Sequence, residues 1–142
     1  MTPEQKIKHA IIIGVAEYYS EYYSDDKAVQ ETINSLLVDD ASIDESYDFI
    51  CEKNMHWDVV YEIREGQVET EVPSESSRHY ESKSVAMKMP DDTWVGWTYW
   101  YGGGKHAEPD EIDWMSKAYN LNCKEEEKVV IVREFTKLDK TA

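Results

Sequence analysis

Along the first twenty-odd residues, apolar side chains recur at Ile7, Ile11, Val15, Tyr18 and Tyr22, spaced by three or four positions, which is one face of an α-helix. Thr2, Pro3 and Gln5 precede them as a start signal: a hydroxyl N-cap, a proline at the first helical position and a capping-box glutamine. The pattern predicts a helix from Pro3 to about Tyr23. Ser24 and Asp25 then offer a new cap, and Ala28, Val29, Ile33, Leu36 and Leu37 supply a second apolar stripe reaching Val38. Asp39 and Asp40 interrupt it. Ser42 with Glu45 repeats the capping box ahead of Ile43, Tyr47, Ile50 and Cys51, predicting a short third helix.

From Trp57 the period switches to two. Trp57, Val59, Tyr61 and Ile63 alternate with Asp58, Val60, Glu62 and Arg64, and Glu65-Gly66 turns the chain toward Val68, Thr70 and Val72, so a hairpin is expected. Pro73 to Ser77 reads as a loop. A second hairpin runs from Val85, Met87 and Met89 through the turn Pro90-Asp91-Asp92 to Trp94–Tyr101. Glu108-Pro109 opens a helix whose Ile112, Met115, Ala118 and Tyr119 share a face, and Lys128 to Thr136 holds the run Val129-Val130-Ile131-Val132, the pattern of an inner strand covered on both sides. The expected fold is α+β: N-terminal helices on a mostly antiparallel sheet of about five strands, with one helix before the last strand. The expectation is one domain over residues 1–142, a helical acidic part at 1–55 and a sheet-rich part at 56–142.

Charge changes this picture most. The chain carries 30 acidic against 15 basic side chains for a formal net charge of −15, and residues 1–75 hold eighteen acids and five bases while residues 76–142 hold twelve and ten. So large a value exceeds the magnitude of roughly 2 to 8 that keeps a small domain in solution. It disfavours direct contact with nucleic acid or with anionic membranes, both of which are held by Lys and Arg. Ten tyrosines and five tryptophans argue for a folded chain rather than a disordered acidic one. The N-terminus lacks the order of a secretory signal and the apolar stretch Ala10–Ala16 is too short to span a bilayer, so a cytoplasmic protein is expected. Cys51 and Cys123 read as two reduced thiols rather than a disulfide framework.

Catalytic patterns are incomplete. Gly102-Gly103-Gly104-Lys105 lacks the earlier glycine and the following Ser or Thr of a phosphate loop, where this chain has Tyr99 and His106. His106-Ala107-Glu108 resembles the H-x-E of zinc deaminases, in which the histidine binds metal and the glutamate moves protons; the P-C-x-x-C half is missing, and Asn122-Cys123-Lys124-Glu125 stands in its place. Glu108 and Pro109 are explained by a helix start. Neither an enzyme, a metal nor a cofactor is expected, and a deaminase-like hydrolase around His106 and Glu108 is the alternative. Aromatics fall on both faces of Trp94–Tyr101, one for the core and one requiring cover, either by the helices or by a partner.

A solvated face or an adaptation to salt is the plain explanation for the acid surplus; the crowding of acids into the helical half argues against it, and a basic protein partner, of the kind that itself binds nucleic acid, is expected. Thirteen net charges over half the surface of a compact chain of this size amount to about one per 290 Å², against about one per 107 Å² on duplex DNA. A local acidic patch that plugs a basic groove is therefore expected rather than imitation of a long duplex. The expected contact residues are Glu17, Tyr19, Glu21, Tyr23, Asp25 and Asp26, with Tyr18 and Tyr22 assigned to the core stripe and Trp97 and Tyr99 as a second contact region. In length and charge the chain is similar to phage- or plasmid-encoded antagonists of host defence and to immunity proteins of nuclease toxins, a resemblance of composition that implies a non-catalytic inhibitor. A structural or assembly subunit, including a homodimer built on the aromatic strand, is the other class left open.

Overall fold

The computed structural model describes residues 1–36 and 42–139. Helix α1 (Pro3–Tyr22) begins as its sequence prescribes: the Thr2 hydroxyl accepts from the Gln5 amide at 3.2 Å and the Gln5 side chain accepts from the Thr2 amide at 3.0 Å. Helix α2 (Lys27–Leu36) follows a tight turn, capped by Asp26, whose carboxylate accepts from the amides of Ala28 and Val29. The cap is thus one residue later than Ser24 and Asp25. Leu37, Val38, Asp39 and Asp40, the expected end of the second stripe and its break, lie outside the described residues. Helix α3 (Ile43–Glu52) forms with Ser42 at the N-cap position, although the Ser42 side chain makes no capping bond there.

The expected hairpin strand at Trp57 is instead a helix, α4 (Trp57–Arg64). Its segment satisfies two periods at once, and packing chooses between them. Val59, Val60, Ile63 and Arg64 turn inward at helical spacing, whereas the alternating set would bury Trp57 and Tyr61, which are 63% and 60% exposed. Only Val68–Glu69 remains of the first hairpin, as β1.

Strands β1, β2 (Glu81–Lys88), β3 (Trp94–Tyr101) and β4 (Tyr119–Leu121) form one antiparallel sheet in the order β1-β2-β3-β4, four strands among the described residues rather than about five. The β2–β3 hairpin is paired from Glu81↔Tyr101 to Lys88↔Trp94, and the short outer strands cover only its far half: β1 opposite Val85 and Ala86, β4 opposite Trp94 to Gly96. A 3₁₀ turn, Pro109–Glu111, precedes the last strand; the longer helix expected through Ala118 does not form, and Tyr119 begins β4. Trp114 is the cause, since it inserts into the core against Trp97 with ring centroids 5.2 Å apart, and Asp113 then folds the chain back by accepting from the Ser116 amide. Lys128–Thr136 forms no strand and lies exposed, because no other described strand stands beside it.

Helices and sheet share one core. Ile7, Ile11 and Val15 of α1, with Ile43 and Ile50 of α3, meet Val85, Val95 and Trp97, which alternation places on one face of the sheet. The other face is closed in part by β4: a Cβ at Gly96 would stand 2.7 Å from the side chains of both Leu121 and Tyr119, so only glycine lets them lie over the strand.

Candidate functional site: an acid-rimmed groove

Helices α1 and α4 approach each other at Gly14, where an added Cβ would meet a Val59 methyl at 2.7 Å. Around that contact lies an open groove of about 730 Å³, bordered by Met87 to Pro90 at the β2–β3 turn. Ile13, Val59, Ile63 and Met87 line it as apolar floor. Its rim is acidic: Glu17 and Glu21 sit one turn apart on α1, and Asp58 and Glu62 sit one turn apart on α4. None of these four carboxylates takes part in an ion pair among the described residues. Among the described residues Lys88 is the one base on the groove, and Asp92 lies 3.8 Å from its ammonium. Each like-charged pair one turn apart costs an isolated helix about 0.2–0.5 kcal/mol, so the fold bears this arrangement against a small penalty.

Tyrosines close the far end of the groove. Tyr18 and Tyr22 line it with ring centroids 4.8 Å apart, and Tyr22 is 65% exposed. Tyr19 instead turns to the core and stacks on Tyr23 at 5.0 Å. Its phenol is held above the ordinary tyrosine range by burial first, then by the neighbouring phenols of Tyr23 and Tyr18 and the carboxylate of Asp58. The core stripe of α1 is therefore Ile7, Ile11, Val15 and Tyr19, and the assignment of Tyr18 and Tyr22 to it was a phase error of one position: a spacing of four from Val15 leads to Tyr19.

Of the residues singled out from sequence, Glu17 and Glu21 stand on the groove. Tyr23 and Asp25 are exposed in the turn after α1, and Asp26 is engaged in capping α2. The second region does not join them. Trp97 is 0% exposed and donates its indole N–H to the Arg64 carbonyl at 2.8 Å, so it cannot offer a contact surface. Tyr99 is half-buried under the Arg64 guanidinium, 4.7 Å from its ring centroid, and Arg64 donates to the Trp100 carbonyl. The aromatic strand is thus built into the core through Trp97 and Trp100.

Asp58 and Glu62 were missed because their segment was read as a strand; their spacing of four, matching that of Glu17 and Glu21, was the available signal. The same misreading hid Trp57 and Tyr61, exposed one turn apart on α4.

The other candidates are dispersed. Gly102, Gly103 and Gly104 all hold positive φ in the loop after β3, His106 is exposed beyond them, and the Glu111 carboxyl is raised by its hydrogen bond to Glu108. Cys123 is exposed and Cys51 half-buried, both outside any disulfide, and burial pushes the Cys51 thiol up. Among the described residues no three His, Cys, Asp or Glu side chains are grouped to hold a metal ion, and no helix is long and apolar enough to cross a membrane. Comparison with family models, curated proteins and solved structures gives no match.

Proposed function

We propose that the protein is a non-catalytic binding protein whose α1–α4 groove receives a basic segment of a partner protein, one whose basic surface otherwise holds nucleic acid, and so blocks it. The observation that carries this reading is four carboxylates without ion-pair partners among the described residues, set around an apolar floor. Lys and Arg are the side chains that suit both parts, because their aliphatic stems cover apolar surface while the cationic heads stay at the rim. The field of the whole chain would speed encounter, and the floor with Tyr22 would set how long the complex lasts.

The test is calorimetric titration with a synthetic amphipathic peptide of Lys, Arg and Leu, at low salt. Glu21→Lys with Glu62→Lys is expected to weaken binding by about tenfold or more. Glu45→Lys with Glu52→Lys, at exposed positions of α3, makes the same change in net charge away from the groove and is expected to have a much smaller effect. Equal losses in the two pairs would reduce the groove to general electrostatics and refute the reading.

A further inference from the structure

The last part of the chain is at odds with its own sequence. Val129 is 100% exposed, and Val130, Ile131, Val132, Phe135 and Leu138 are all at least 72% exposed. A run of this kind on a single chain is a contact surface in want of cover. The chain as a whole exposes 10521 Å², where a compact monomer of its mass exposes about 7,600 Å². The exposed arm contributes to that surplus.

A second feature stands at the opposite edge of the sheet from β4, from which the arm departs. Strand β1 pairs with only two residues of β2, and its outer side has no strand neighbour among the described residues. Val68, Thr70 and Val72 line a cavity of about 480 Å³ on the outer face of the sheet, with Ala86, Trp94 and Leu121 beneath and Asn122, Cys123 and Lys124, the root of the arm, along its other side. Val68 is 48% exposed there. An unpaired edge beside an apolar cavity is the usual setting for an added strand.

Charge makes the two features complementary. Residues 65–75, which contain β1, hold Glu65, Glu69, Glu71 and Glu75 and no base. Residues 128–142 hold Lys128, Arg133, Lys137 and Lys140 against Glu134 and Asp139, a net positive end on a chain that is otherwise strongly negative. We infer that two copies of the chain exchange arms, residues 128–136 of each adding as a strand to the β1 edge of the other and filling its outer-face cavity. The occupant is a second copy because each chain's own arm, although its root lines the cavity, lies exposed from residue 125 to 139 and leaves that cavity open. Reciprocal exchange closes on itself as a dimer. The inference is independent of the α1–α4 groove.

The experiment is light scattering on the full chain over a range of micromolar concentrations, with amide hydrogen exchange across residues 129–135. A dimer is expected, with arm amides whose protection increases with concentration. Ile131→Lys with Val132→Lys alters both faces of an arm already exposed in the single chain, and is expected to give a folded monomer. Arg133→Glu with Lys137→Glu is expected to weaken dimerisation by about tenfold, through two symmetric contacts, and Glu69→Lys with Glu71→Lys in the same chain is expected to restore it. A wild-type monomer overturns the inference, whether its arm amides are protected by the chain's own sheet or unprotected. So does a dimer indifferent to the Ile131 and Val132 changes, or a charge swap that restores nothing.

Discussion

Arg64 is the residue whose setting most constrains the sheet side of the molecule. Its guanidinium is buried between the rings of Tyr99 and, at 6.0 Å, Tyr61, and bonds the Trp100 carbonyl, while its own carbonyl takes the Trp97 indole. A flat cation suits this slot and an ammonium does not, so Arg64→Lys should cost about 1–2 kcal/mol in urea unfolding although the charge is retained. An unchanged midpoint would show that the stack contributes nothing. His56 is the complementary case, a base kept neutral. Burial holds its imidazole below the ordinary histidine range, and its Nδ1 is enclosed without a hydrogen-bond partner in the described structure. The unfolded chain therefore binds the proton more readily, and stability present above about pH 6.5 falls as the pH drops below it. His56→Gln should flatten the slope of unfolding free energy below about pH 6.5; an unaltered slope would place its origin elsewhere.

At the scale of elements, the contact between α1 and α4 decides whether the groove exists. Gly14→Ala gains helix propensity of about 1 kcal/mol but presses on Val59, and overpacking costs about 1–3 kcal/mol. Val59→Ala removes the obstructing methyl groups, so the two substitutions should couple favourably by about 0.5–3 kcal/mol in a double-mutant cycle. Strict additivity would mean that the helices do not touch there. Helix α1 was legible in full because its cap, its proline and its apolar period agree. Helix α4 was not, since eight residues carry too little period to separate helix from strand, and the deciding fact, that Trp57 and Tyr61 face outward, belongs to the packed molecule. The 3₁₀ turn at Pro109–Glu111 shows the same dependence: a good helix start was cut short by the insertion of Trp114 beside Trp97.

For the whole molecule, a net charge of −15 acts on folding and on binding with opposite signs. Raising salt from about 10 to about 300 mM shortens the screening length from about 30 Å to less than 8 Å. Relief of self-repulsion should raise stability by about 1 kcal/mol, or Tm by about 4 °C, in a thermal melt, while the same salt weakens capture of a basic peptide. A melting temperature that falls with salt would mean that ion pairs such as Lys8–Asp44, at 3.1 Å, outweigh the repulsion. Half of the groove could be found in the sequence, as Glu17 and Glu21; its facing half came from a segment 37 or more residues away that only the fold brings alongside.

The sequence by itself determined the α+β class, the helical start, the β2–β3 hairpin and the surplus of acid, because each depends on local spacing or on counting. Tertiary structure alone decided which tyrosines meet solvent, that Trp97 is core, and that Asp58 and Glu62 stand opposite Glu17 and Glu21. Those outcomes turn on which faces are covered, and cover is supplied by residues distant in the chain. The arm at Lys128–Thr136 marks the boundary between the two: its composition asks for burial on both sides, and a single copy of the fold provides none.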